Sequence, residues 1–271
     1  MIGPKTPTKT LVVNTLTSTL DMNLIAATFA IEGLWWVFLG AVLAGIVRGF
    51  TGFGTAMVYL PFSGAVLSPI GALLSLVCMD LFGPLPLVPN AMRKGHIRDI
   101  ALMGFGMIVT LPFGLFILGH MEGMTYRYIV SFATMLALIF LLSGFRYKGT
   151  LTPSILIGTG GLGGFLGGLA GLPGPPVTAL YMASTLPVEA VRANMIIFLI
   201  LADILIFPIM ALQGMLSLQP LLIGGLVIFP YMIGSAVGAY FFDPEKEKSY
   251  RIVAYIVIAG SALIGLPFVT V

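Results

Sequence analysis

Long apolar runs fill the chain, interrupted by glycine and proline turns and by short charged clusters. A bilayer core of about 30 Å needs roughly 20 apolar residues in helical form. On that measure eight long spans are predicted, at 31–47, 70–88, 100–118, 128–144, 154–169, 193–212, 221–241 and 252–269. Two more apolar stretches, 55–67 and 177–186, are too short to cross comfortably. Each follows a glycine-rich turn and ends near a proline, Pro69 or Pro187. They are expected as broken or re-entrant helices, which a membrane tolerates only where protein or a watery cavity satisfies the backbone. The first thirty residues are less apolar. Lys5 and Lys9 precede 11–20, but Asn14, Thr15, Thr17, Ser18 and Thr19 interrupt that run. The pattern favours a tail or an interfacial lead-in over a cleaved signal peptide.

The chain also matches itself at an offset near 120. Gly52 and Gly171 lie 119 residues apart, Pro69 and Pro187 lie 118, and Asp80 and Asp203 lie 123. Thr125-Tyr126-Arg127 and Ser249-Tyr250-Arg251 lie 124 apart. Four matches in order imply two membrane halves, 31–147 and 150–271, forming one unit behind the lead-in 1–30. The positive-inside rule gives their orientation. If the short segments count as crossings, the halves are inverted, and eight cations (Arg93, Lys94, Arg98, Arg146, Lys148, Lys246, Lys248, Arg251) share one side, against three on the other. If the segments re-enter, the halves are parallel and the count is seven against four. Inversion is the favoured reading.

Composition agrees. Only 8% of residues are charged and 58% are hydrophobic, against roughly 25% charged in soluble domains. Mean hydropathy is +1.08. The expected fold class is an all-α polytopic membrane protein. One cysteine, Cys78, excludes a disulfide scaffold. Two histidines, His96 and His120, leave no cluster for zinc or haem, so no cofactor or metal is expected. A net charge of +3 is too small and dispersed for a nucleic-acid binder. An enzyme is not expected: there is no Gly-x-Ser-x-Gly elbow, no His-Glu-x-x-His pair and no Gly-x4-Gly-Lys loop.

The candidate chemistry gathers at two breaks. The first is Arg48-Gly49-Phe50-Thr51-Gly52-Phe53-Gly54-Thr55, and the second runs from Gly163 through Gly171-Leu172-Pro173-Gly174-Pro175-Pro176. Glycine permits positive φ, proline suits the first helical position, and Thr55 and Thr178 sit where a hydroxyl can satisfy free amides. A helix that restarts there presents unpaired N–H groups and a positive dipole end. Two such ends facing each other make an anion site. Gly160, Gly164 and Gly168 fit helix packing better. Arg48 is expected as the counter-charge, with snorkelling or an acid partner as the alternative. Arg192 suits substrate contact or loop anchoring. Asp80 and Asp203 suit a coupling proton, or an ion pair with Arg48 or Arg192. Tyr59 and Tyr181 suit cavity lining or packing. Tyr126-Arg127 and Tyr250-Arg251 are expected as interfacial anchors.

The run Gly45–Gly54 and the glycine-rich run Gly160–Pro176 resemble the sulfite exporter TauE/SafE family of membrane permeases. With the two-half layout, the resemblance covers about 31–271. Its motif falls on Gly49, Gly52 and Gly54, and on Gly171, Gly174 and Pro175. The second break departs from the commoner Gly-Gly-Gly ending, leaving fewer N–H donors. The resemblance implies a multi-pass permease of a bacterial-type inner membrane moving a small sulfur-containing anion such as sulfite or an organosulfonate. The expected site comprises Arg48, Thr51, Gly52, Phe53, Gly54, Thr55, Tyr59, Gly171, Pro173, Gly174, Pro175, Thr178, Tyr181 and Arg192. Alternating access is the expected mechanism. A passive anion channel, or a carrier of another small organic anion, is the alternative. Partners are the anion and the lipid bilayer, with a coupling proton or cation and a homodimer left open.

Overall fold

The computed structural model describes residues 22–82, 88–143, 151–182, 186–241 and 247–268. Their regular elements are all helices, with no strand among the described residues. In chain order the helices are α1 (Met22–Phe29), α2 (Leu34–Thr51), α3 (Thr55–Val66), α4 (Pro69–Phe82), α5 (Val88–Lys94) and α6 (Ile97–Gly119). They continue as α7 (Gly123–Leu142), α8 (Pro153–Ala170), α9 (Gly174–Met182), α10 (Val188–Leu212), α11 (Leu218–Tyr240) and α12 (Glu247–Gly265). The lead-in through residue 21, the joining segment 146–149 and Lys246 lie outside the described residues, as do the side chains of Lys248 and Arg251.

Among the described residues, six of these helices (α2, α6, α7, α8, α10, α11) are long and apolar enough to cross a membrane, against eight expected for the whole chain. Of the predicted span 70–88, the described part is α4, 14 residues or about 21 Å long. Helix is described through Phe82 and again from Val88, and 83–87, with Pro84, lie outside the described residues. The apolar part of α12 is the short stretch Ile252–Gly265. The short segments expected at 55–67 and 177–186 are α3 and α9.

The surface places apolar side chains where a soluble protein would place charges. Along α6, Phe105, Ile108, Val109, Phe113 and Phe116 are exposed, and along α7, Phe132, Leu136 and Ile139. Their spacing of three and four residues makes continuous outward stripes, suited to acyl chains. The interior holds the reverse: Arg48, Asp80 and Asp203 are all buried.

Close backbone contact holds the long helices together. Gly106 of α6 faces the Ile157 carbonyl of α8, and Gly160, Gly164 and Gly168 of α8 face the backbone of Met103, Met107 and Leu111 in α6. In α2, Gly45 and Gly49 meet the α11 backbone between Tyr231 and Ala239, and Gly234 and Gly238 return the contact at Val42 and Ile46. Without an aqueous hydrophobic effect between helices, such small-residue seams are a main source of association. Gly49 therefore serves packing between α2 and α11.

α2 and α3 form an antiparallel hairpin. Gly33 lies against Val66, Gly40 against Phe62, and Gly54 against Val47. Arg48, in the last turn of α2, is thereby carried to the base of the hairpin, roughly 21 Å along the helix from Leu34.

Candidate functional site

The first break is built by two glycines in the left-handed region, Gly52 at φ +78° and Gly54 at φ +92°. The Gly52 N–H donates to the Arg48 carbonyl at 2.7 Å, closing α2. The Thr51 hydroxyl bonds the carbonyls of Val47 and Phe53, both at 2.8 Å. Thr51 thus fixes the turn. α3 then starts at Thr55 after only three intervening residues. The second break is closed by Gly171 at φ +68°. The N–H groups of Gly171 and Leu172 donate to the carbonyls of Gly167 and Leu166, and α9 starts at Gly174.

Both breaks border one cavity of about 50 Å³. Its wall takes Phe53, Gly54, Thr55, Ala56 and Met57 from the first break and the start of α3. From the second break and α9 it takes Gly171, Leu172, Pro173, Gly174, Pro175 and Thr178. Arg48, Asp80 and Asp203 also face it, among Leu73, Leu76, Val77, Leu141, Leu199 and Ile206. The volume suits a few waters or one small ion.

Arg48 does not stand alone in this space. Its Nη1 donates to Asp80 Oδ2 at 3.2 Å and to Thr55 Oγ1 at 3.1 Å. The Tyr231 hydroxyl donates to the other carboxylate oxygen, Asp80 Oδ1, at 2.8 Å, and lies 3.4 Å from Thr55 Oγ1. Arginine, aspartate, threonine and tyrosine from α2, α4, α3 and α11 make one buried polar knot. Of the two roles open to Asp80, the structure shows the ion pair. Asp203 makes no hydrogen bond or ion pair with the described residues, although it lines the same cavity.

Of the fourteen expected contact residues, the structure brings nine to the cavity wall: Arg48, Phe53, Gly54, Thr55, Gly171, Pro173, Gly174, Pro175 and Thr178. Five fall elsewhere. Thr51 and Gly52 shape the turn behind the wall. Tyr59 is fully buried and donates to Ser75 Oγ at 2.9 Å, tying α3 to α4. Tyr181 is buried in the interior, away from the wall. Arg192 is exposed at the start of α10, with its guanidinium packed beside Gly52 on the outside of the first break. Tyr126 is fully buried against Gly64, so it is no interfacial anchor. Arg127 holds the end of α12, donating to the carbonyls of Gly265 and Leu266 at 3.0 and 2.9 Å. Tyr231 was not foreseen; the only local hint is a Pro-Tyr pair in mid-helix, at Pro230-Tyr231.

A family model described as Sulfite exporter TauE/SafE matches residues 37–264, most of the chain. The chain belongs to that family. TauE/SafE proteins are membrane permeases and not enzymes, in keeping with the apolar helices described above. The TauE/SafE match takes in both breaks, Arg48, Asp80, Asp203 and Tyr231. No curated protein and no solved structure matches the chain.

Proposed function

We propose that this protein is a secondary transporter of a small sulfur-containing anion, sulfite or an organosulfonate, working by alternating access at the cavity between the two breaks. One observation carries the reading: two helix starts, α3 and α9, border a single buried cavity that also holds Arg48. The N–H groups at the start of a helix have no partner within it, and its dipole favours negative charge. Thr55 adds a hydroxyl. Phe53, Leu172 and Pro173 supply apolar wall that would strip water from a guest.

Helix directions support inverted halves. α2 runs from Gly33 toward Arg48, whereas α8 runs parallel to α6, with Gly160 beside Met103 and Gly168 beside Leu111. α6 starts where Lys94 bonds Glu189, the end of the bundle to which the cation count assigns the cytosol. The two breaks would then be reached from opposite faces, the layout that alternating access requires. The reading places the protein in a bacterial-type inner membrane.

Purified protein in liposomes tests the proposal. Wild type is expected to concentrate radiolabelled sulfite or isethionate by counterflow, which a passive channel cannot do. Arg48→Ala is expected to abolish that uptake. Arg48→Lys, which keeps the charge, is expected to retain part of it. Undiminished counterflow by Arg48→Ala would remove the anion site from this cavity.

A further inference from the structure

Two acids face the cavity, and the structure separates their roles. Asp80 is consumed by the knot, with Arg48 on one oxygen and Tyr231 on the other. Asp203 is 7% exposed, lines the cavity, and makes no hydrogen bond or ion pair with the described residues. Its neighbours on the same face of α10, Leu199 and Ile206, are apolar. The repeat explains the imbalance. At the offset of 119 that pairs Gly52 with Gly171, the counterpart of Arg48 is Gly167. Two related halves thus bring two acids but one cation.

The charges then count as follows. With Asp203 ionised, Arg48, Asp80 and Asp203 sum to −1, and an entering monoanion would meet net repulsion at a site where burial weakens solvent screening. With Asp203 protonated they sum to zero, and the helix starts can hold the anion. We propose that Asp203 is the proton-binding group of this transporter, taking up one H⁺ with each monoanion bound and releasing it when the anion leaves. The carboxylate becomes a carboxylic acid and returns, so charge balances over a cycle and transport is electroneutral proton–anion symport. This deepens the transport reading above and rests on it.

No other titratable group competes at that position among the described residues. From α4, Asp80 faces Asp203, and from α2, Arg48, with Tyr231 of α11 behind them. α8 carries no titratable residue, and α9 only Tyr181, off the wall. Tyr126, Arg127 and Tyr128 lie at the start of α7, whose far end supplies Leu141 to the wall. At the start of α6, Lys94 bonds Glu189 and the His96 N–H donates to Asn194, roughly 14–21 Å along α10 from Asp203.

The test uses liposomes containing the full-length protein and a trapped pH dye, with isethionate, whose sulfonate does not titrate in the range used. Wild type is expected to move one proton per isethionate, and its uptake to rise by up to tenfold per unit of external acidification, the limit for one linked proton. Asp203→Asn, neutral at every pH, is expected to lose the proton flux and to flatten the pH profile to within about twofold. In parallel, isethionate is expected to raise the melting temperature of wild type only at the acidic end, and that of Asp203→Asn equally at both ends. Proton flux or a wild-type pH profile in Asp203→Asn would overturn the proposal. So would wild-type uptake without proton movement, or uptake driven by a sodium gradient. If Asp203→Asn fails to fold, the wild-type proton count decides alone. Counterflow without protons defeats the role of Asp203 only, whereas no counterflow in wild type defeats the transport reading beneath it.

Discussion

The Arg48–Asp80 pair makes a sharp claim about what holds the site together. At an N···O separation of 3.2 Å, an effective dielectric near 20 gives roughly 5 kcal/mol of attraction between unit charges. Desolvation of two buried ions takes back several kcal/mol, so the pair is close to neutral for stability as a whole. Losing one partner is different, because the other charge stays buried without compensation, at about 3–5 kcal/mol. In Arg48→Met, Asp80 keeps only the Tyr231 hydroxyl. In Asp80→Asn, Arg48 keeps Thr55 and a neutral amide oxygen. The double variant buries neither charge of the pair and is expected within about 2 kcal/mol of wild type, a coupling of at least about 4 kcal/mol across the cycle. Unfolding free energies of the four proteins, from SDS titration in mixed micelles, measure it. If the double variant is as unstable as the two singles summed, the residues do not act as a pair. Transport should rank differently: the double variant folds yet carries no anion, because its counter-charge is gone.

The remaining predictions concern backbone geometry and the surface. Gly171 and Gly214 share φ +68°, but a Cβ at Gly171 would collide with Leu60 whereas Gly214 is open. Gly214→Ala should therefore cost only the left-handed strain, about 1–2 kcal/mol, and leave transport intact. Gly171→Ala should add about 1–3 kcal/mol of overpacking and lose transport; equal melting temperatures for the two would refute the crowding at the second break. Gly168→Leu would drive a side chain into the α6 backbone, whereas Gly158→Leu meets open space. Size-exclusion profiles in detergent should show aggregation of the first and a monodisperse second. Lys94 and Glu189 pair at 2.8 Å at the exposed edge of α5 and α10. Lys94→Ala is expected to leave the melting temperature unchanged, since exposed pairs contribute little.

What the sequence made legible follows from what a bilayer demands. Glycine and proline stand out against apolar runs because an interrupted helix in lipid needs a reason, so both breaks could be located to within a few residues. Burial of Arg48, Asp80 and Asp203 was equally readable from their apolar surroundings. Helix ends were harder: the apolar run closes at Val47, ahead of the charge of Arg48, although α2 continues to Thr51, because a hydropathy window ends at a charge whereas the helix runs on to the glycine turn. Side-chain partners were hardest. Tyr231 meets Asp80 across 151 residues of sequence, a contact with no local signature. Tyr59 lies four residues after Thr55 on the same helix, yet its hydroxyl turns to Ser75, and only the placement of α4 decides that.

The two breaks are alike in their left-handed glycines but differ in what they offer a guest. The start of α3 offers the N–H groups of Thr55, Ala56 and Met57, next to the cation of Arg48. The start of α9 has prolines at two of its first four positions, Pro175 and Pro176, and so offers at most two donors there. An anion in the cavity would thus be held mainly by the first half. The second half contributes a stiff apolar wall and the unpaired carboxyl of Asp203. Replacing Pro175 and Pro176 together by alanine restores two N–H groups without adding charge. If donors at the second break limit affinity, that variant should bind isethionate several-fold more tightly and release it more slowly, read as a lower KM with a lower maximal counterflow rate. An unchanged KM would mean that α9 does not aim its amides at the guest, and the shared-site reading would reduce to the first break alone.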